Sequence, residues 1–341
     1  MKKQIVNLNR RSFLRLAGLA GAGSVLAAAG GTVLFSERFN RELHQSRQTR
    51  PLMGTYVQIT VLDKSAAKAE EALNSAFAEM SRLENILSRF HSASPLSVLN
   101  STGRLNGAPA ELMEVLAASR LAWRNSGGAF DITVLPLLTA VESRVRANQS
   151  LSGAEALQAG DLVGMEKLKM SGTNLAFDRS GMGITLDGIA KGYIVDHAVA
   201  SLSRQGISRA LVNAGGDIRA LGDKGEGKGW TIKVQDPVDK NAFVAEFAIT
   251  DRAVATSGNY EAYFDEAKLF GHLINPERPG EAGDSLSSTI LASSCTVADA
   301  MATAWFVMGG QNGSDMLAGQ SDLGGLFLEQ GGEQRRLRFP A

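Results

Sequence analysis

The stretch Ile184-Thr185-Leu186-Asp187-Gly188-Ile189-Ala190-Lys191-Gly192-Tyr193-Ile194-Val195-Asp196 sets the organisation of the chain. Its apolar opening breaks at Gly188, and Ile194, Val195, Ala198, Val199 and Leu202 then recur at helical spacing as far as Gly206. The pattern predicts a strand, a tight turn and a helix start, with Ala210 to Val212 as the next strand. A helix start carries open backbone amides and the positive end of the peptide dipole, and Lys191 adds a full charge there. Such a turn suits an anion, and phosphate best of all. A lone Gly-rich turn more often does nothing beyond turning the chain, so its surroundings decide.

Upstream, Tyr56 to Leu62 alternates as a strand does, and an amphipathic helix starting near Ser65 lines Leu73, Ala76, Phe77, Met80, Leu83 and Leu87 along one face. Glu111 to Asn125 reads as a second helix, stopped by Gly127-Gly128. Phe130 to Val134 reads as a short strand, Pro136 opens another helix, and Ser152 to Ala159 forms one more. Lys167 to Met170 and Asn174 to Phe177 read as a hairpin. Ile218 to Leu221, Thr231 to Val234, Phe243 to Ile249 and Ala253 to Ala255 make the second half rich in strands, closed by a helix over Val297 to Met308. Strands joined through short turns argue for a single α+β unit with a largely antiparallel or mixed sheet and flanking helices.

The chain has 341 residues, enough for one large domain or two, and its 44% hydrophobic content supplies a core. Its 35 basic and 35 acidic residues balance, but residues 1–50 hold nine Lys/Arg against two Glu, leaving 26 against 33 in the rest. That acidic body argues against a nucleic-acid partner, since it has no basic surplus to neutralise phosphates. Asn9-Arg10-Arg11-Ser12-Phe13-Leu14-Arg15 precedes a 21-residue uncharged stretch, Leu16 to Ser36, rich in Ala and Gly. Paired arginines ahead of a weakly apolar run, with Ala27-Ala28-Ala29 as small residues for a peptidase, read as a twin-arginine export signal. The expected location is the periplasm, reached through the twin-arginine machinery. A run of this length spans roughly 31 Å as a helix, so an uncleaved signal would instead anchor the chain in the inner membrane. Residues 1–50 are thus signal and linker, and residues 51–341 the domain. Cys295 is the sole cysteine; it stands beside an apolar run and reads as a buried thiol rather than a nucleophile.

Several familiar chemistries fail on the residues. Gly222 to Gly229 fits a phosphate-binding loop except at its last place, where Gly229 replaces the hydroxyl and a strand follows, so it reads as a hairpin loop. No Gly-x-Gly-x-x-Gly opens a helix in the body, and neither His-Glu-x-x-His nor Gly-x-Ser-x-Gly occurs. What remains is oxygen chemistry. Asp299 and Thr303 lie one helical turn apart on one face; such a pair is more often a cap and a packed methyl, while with the Gly188 carbonyl it makes a candidate set for a hard cation such as Mg2+.

Five further stretches accompany the central one: Met53-Gly54-Thr55, Gly128 to Thr133, Asn213 to Asp217, Thr256 to Tyr260 with His272 to Pro276, and Ala298 to Thr303. In this order the chain resembles the ApbE family of FAD-dependent FMN transferases, over Pro51 to about Gly310. The resemblance implies a single ApbE-like, T-fold-related domain that binds FAD as substrate and transfers FMN to a threonine of an acceptor protein, releasing AMP. It implies flavin contacts from Met53, Phe90, Ala129, Phe130, Asp131, Thr185, Gly188 and Lys191. It further implies a magnesium site from Gly188, Asp299 and Thr303, with His272 as general base and Lys191 neutralising the phosphate. The chain departs from the family pattern in the central turn, where Thr185 stands in place of the usual Asp and Asp187 in place of a frequent Gly. The export signal and the altered turn resemble the NosX-type branch, whose acceptor is a NosR-like membrane protein of nitrous oxide respiration; another membrane redox complex is the alternative acceptor. A non-catalytic FAD-binding protein and an FAD hydrolase remain open beside the transferase reading.

Overall fold

The computed structural model describes residues 38–39, 43–147, 149–258, 273–275 and 285–340. Its frame is one wide sheet built from nine strands: β1 (Arg38–Phe39), β2 (Leu43–Leu52), β3 (Thr55–Asp63), β7 (Ala210–Ala214), β8 (Asp217–Leu221), β11 (Ala253–Gly258), β12 (Ser285–Ala292), β13 (Gly324–Glu329) and β14 (Gln334–Leu337). They lie side by side in that order, and every pairing is antiparallel. A small sheet of β4 (Arg104–Leu105), β5 (Leu168–Ser171) and β6 (Asn174–Phe177) contains the hairpin read from the sequence. A third, β9 (Trp230–Gln235) with β10 (Phe243–Ile249), forms no ladder with either.

The helices are α1 (Ala66–Leu87), α2 (Pro95–Thr102), α3 (Ala110–Asn125), α4 (Leu135–Arg146), α5 (Gly153–Gly160), α6 (Ala190–Arg204), α7 (Cys295–Met308) and α8 (Gly310–Ala318). Alternation along the strands explains how two cores form. On β11 and β12, Ala253, Ala255, Ile290 and Ala292 join the large core beneath α1, α6 and α7. Their neighbours Val254 and Leu291 turn to the opposite face and pack with Trp230, Ile232 and Phe247 of the β9-β10 pair. The main sheet is therefore covered on both faces. α1 begins at Ser65, whose side chain accepts from the Lys68 amide, and buries the residues its spacing marked. No helix among the described residues is long and apolar enough to cross a membrane.

Local expectations change in four places. Ile184 to Leu186 joins no ladder; the Ile184 amide and carbonyl are taken by the Asn100 side chain, and the Thr185 amide donates to the Ile132 carbonyl. Phe130 to Val134 holds a 3-10 turn at Ile132–Val134 rather than a strand, because Asp131 caps it through the Thr133 amide at 2.7 Å. The loop at Gly222 to Gly229 closes no hairpin, since β8 pairs with β7 and β11 whereas β9 pairs with β10. Sheet pairing begins upstream of Pro51, in the segment read as linker: β2 starts at Leu43 and pairs with β3 along nearly its whole length.

Candidate active site

Two helix starts converge at the site. α6 opens just after the Gly188 turn, and its cap residue Ile189 offers no side-chain hydrogen bond. α7 is capped by Ser294 and reinforced by Asp196 of α6, whose carboxylate accepts from the Cys295 and Thr296 amides at 2.9 Å each and from the Ser294 and Thr296 hydroxyls. An anion at a helix N-terminus is stabilised by open amides and the helix dipole together. Arg219 of β8 completes this clamp as the ionic partner of Asp196. The packing of α6 on α7 is thereby fixed about two helical turns from the Gly188 end.

The same device recurs at the site itself. The Gly192 amide donates to Asp299 Oδ2 at 3.0 Å, so the helix start built for an anion receives a carboxylate of the protein's own. A β-carbon on Gly192 would run into the Cys295 carbonyl and come within 2.9 Å of the Asp299 Cβ, which is why the helices meet at a glycine. One turn along α7, the Thr303 hydroxyl faces Gly188 so closely that a β-carbon there would sit 2.8 Å from it. Ser257 Oγ of β11 lies 3.2 Å from Thr303 Oγ1. Gly188, Asp299 and Thr303 are thus brought to one place, as a shared cation requires.

Electrostatics make that place unbalanced. Asp299 is 4% exposed and Asp217, at the start of β8, 1% exposed. Lys191 Nζ reaches Asp217 Oδ2 at 2.5 Å. Burial raises the Asp217 carboxyl above its ordinary range, and the neighbouring ammonium opposes that rise. Asp299 is pushed up to about 8, first by burial and then by the charge of Asp217, against the pull of Lys191 and the Gly192 amide. Among the described residues, Asp217 and Asp299 are two dry carboxylates beside the Lys191 ammonium, an arrangement that a divalent cation would relieve. Among the described residues no three His, Cys, Asp or Glu side chains gather as a ligand cage. A metal here would be offered a carboxylate, a hydroxyl and a backbone carbonyl, an oxygen set that suits a hard ion.

Gly188, Lys191, Ser257, Asp299 and Thr303 line one cleft of about 100 Å³, together with Ala129, Phe130, Asp131, Thr185 and Asp187. Asp131 is occupied in holding its own loop, accepting from the Thr133 amide and hydroxyl and from the Met165 amide, with burial raising its carboxyl. The Thr185 hydroxyl accepts from the Asp187 amide at 3.2 Å. Met53 and Phe90 are not among the cleft's lining residues. Met53 occupies the left-handed turn between β2 and β3, its amide bound to Glu84, and Phe90 is 74% exposed, its ring against the Arg89 guanidinium. His272 lies outside the described residues. Cys295 is fully buried, and burial raises its thiol far above the ordinary range, so it packs rather than reacts. Sequence reasoning passed over Asp217, Ser257 and Arg89. The first two stand within quoted motifs, while nothing local marks the third. A second cleft, between α4 and α5, is bordered by the Arg144–Glu155 ion pair and holds none of these groups.

Among curated proteins, an FAD:protein FMN transferase of Klebsiella pneumoniae (strain 342) is 28% identical over 286 residues, covering 79% of this chain and 80% of its own length. One from Vibrio cholerae (strain O395) is 29% identical over 310 residues, covering 86% and 88%. Among solved structures, the ApbE protein of Thermotoga maritima superposes with a TM-score of 0.78 at 28% identity, covering 86% of this chain and 97% of that one. The flavin transferase ApbE of Vibrio cholerae gives 0.73 at 24% identity, with 87% and 98% covered, and shares the fold. The ApbE family model matches residues 53–327, from the β2-β3 turn into β13 and across both helices of the site, and the chain belongs to the ApbE family.

Proposed function

We propose that this chain is an exported FAD:protein FMN transferase that works with Mg2+ on a threonine of an acceptor protein. The observation that carries the reading is the pair of buried carboxylates, Asp217 and Asp299, set around Lys191 at the start of α6. With its carboxyl pushed up to about 8, Asp299 holds near neutral pH a proton that a metal would displace, and metal and lysine together suit phosphate oxygens. Family membership and the curated relatives named FAD:protein FMN transferase support FAD as the phosphate-bearing substrate.

In this reading FAD lies along the cleft with its pyrophosphate at the Gly188 turn. The threonine oxygen of the acceptor attacks the phosphorus of the FMN half, the bridging bond to the AMP phosphate breaks, and AMP leaves with its charge. Lys191 neutralises phosphate charge as it develops, and Asp217 holds the ammonium in place. Asp299, Thr303 and the Gly188 carbonyl would hold Mg2+, which would supply Lewis-acid stabilisation of the phosphate and leaving group. His272 takes the threonine proton, because a neutral imidazole serves as a base near pH 7. Export by the twin-arginine route places the reaction in the periplasm, and a NosR-like flavin domain is the acceptor that the NosX-type resemblance favours.

Incubation of purified protein with FAD, Mg2+ and a threonine-bearing acceptor domain tests the reading. The expected products are a covalently fluorescent acceptor and one AMP per flavin attached. Free FMN with AMP would make the chain a hydrolase, and bound but intact FAD a carrier; either outcome overturns the transferase assignment.

A further inference from the structure

Arg89, two residues past the end of α1, and Asp187, in the turn before α6, are 98 positions apart and form an ion pair at 2.9 Å. Asp187 borders the cleft and its side chain is 43% exposed. The Arg89 side chain is only 18% exposed. Its guanidinium is held by three groups: Asp187, Glu142 of α4 at 3.9 Å, and the Phe90 ring, whose centroid is 4.3 Å away. Among the described residues only its Nε–H hydrogen-bonds, to Asp187, and Arg89 is not among the residues lining the cleft, so its charge reaches the cleft through Asp187.

The charges around the cleft then fall into a pattern. Asp187 and Asp299 both line the cleft, Asp217 stands behind Lys191, and the substrate proposed above carries a pyrophosphate. Lys191 answers Asp217, and Arg89 answers Asp187. Asp187 directly precedes Gly188, in the turn where that reading places the phosphates, and stands four positions before Lys191.

We infer that Arg89 is a positioning residue for the flavin substrate, acting through Asp187: it neutralises that carboxylate and draws it aside from the phosphate path. The inference rests on the flavin reading of the site. Its consequence is an inversion. Removing Arg89 alone leaves an uncompensated anion beside the substrate's phosphates, whereas removing Arg89 and Asp187 together removes the repulsion with its cause.

The test is the FAD dissociation constant of wild type, Arg89→Ala, Asp187→Asn and the double variant, read from flavin fluorescence, with melting curves alongside. Arg89→Ala is expected to weaken FAD binding about tenfold, the size of one partly screened charge at close range, and the loss is expected to shrink at high salt. Asp187→Asn binds FAD at least as tightly as wild type, and the double variant returns to within about threefold of it. Arg89→Gln, which keeps most of the stem, is measured beside Arg89→Ala and follows the same pattern. A double variant as weak as Arg89→Ala, or a loss that ignores salt, overturns the inference and leaves the flavin reading intact. A wild type that binds no FAD overturns the flavin reading and this inference with it.

Discussion

The Gly192 amide and the Asp299 carboxylate meet at 3.0 Å, joining the helix that carries the lysine to the helix that carries Asp299 and Thr303. The contact is possible only because residue 192 has no side chain. In Gly192→Ala the new carbon would collide with the Cys295 carbonyl, so α6 and α7 must separate. The expected cost is roughly 1 to 3 kcal/mol, typical of overpacking, with a disproportionate loss of FMN transfer. Thermal denaturation and transfer rate, measured on one preparation, check this; wild-type values for both would show that the crossing tolerates a wider spacing.

Asp299→Asn separates the structural from the chemical part of this residue. The amide oxygen still accepts from Gly192, and a buried ionisable group disappears, so the melting temperature of metal-free protein is expected to hold or rise. FMN transfer is expected to collapse and to recover in part at high magnesium, because one anionic ligand is gone. A magnesium titration of transfer decides. Equal activity of variant and wild type at every concentration would take Asp299 out of the cation site.

Lys191→Ala strands Asp217, which is 1% exposed, without its ammonium. A stability loss of about 2 kcal/mol is expected, below the range for fully buried pairs because the lysine is 32% exposed. FAD binding is expected to weaken by about tenfold or more, as for the loss of a charged phosphate contact. Adding Asp217→Asn should restore the melting temperature and leave FAD binding weak. Recovery of both would reduce Lys191 to a partner of Asp217 alone.

Exchange of Arg10-Arg11 for Lys-Lys tests the export route. The paired arginines are the feature that the twin-arginine reading rests on, so the variant is expected to accumulate in the cytoplasm. Cell fractionation with an antibody to the chain measures the distribution, and an undiminished periplasmic pool would remove that route.

Much of the α+β fold was legible because its helices and strands follow apolar periodicity, as the eight buried residues of α1 do. The β2 strand was hidden for the opposite reason. Its Leu-His-Gln-Ser-Arg-Gln-Thr-Arg-Pro-Leu sequence buries Gln45, Ser46 and Gln48, so no apolar alternation announces it. At the site, Gly188, Lys191, Asp299 and Thr303 could be read locally, as a turn and as one face of a helix. Asp217 acquires its meaning from a lysine 26 residues away, and Arg89 from an aspartate 98 residues away. Charge pairs of that span leave no periodic trace, since only the fold brings their members together. The strand expected at Phe130 to Val134 gave way because a local side-chain cap, Asp131 to Thr133, outcompeted the ladder that its β-branched residues favour.

A wide antiparallel sheet is a hazard in a crowded compartment, because each open edge is a template for a foreign strand. Among the described strands one edge is β1, only two residues long, and the other is β14, which carries Arg335 and Arg336 in a four-residue strand. Arg336 reaches the Val244 carbonyl, and Arg335 pairs with Glu329 and Glu333. Just inside lies β13, whose residues Gly324 to Leu328 are all buried. The short charged strand therefore acts as a selvedge: it keeps an apolar strand from becoming the growing end of an aggregate.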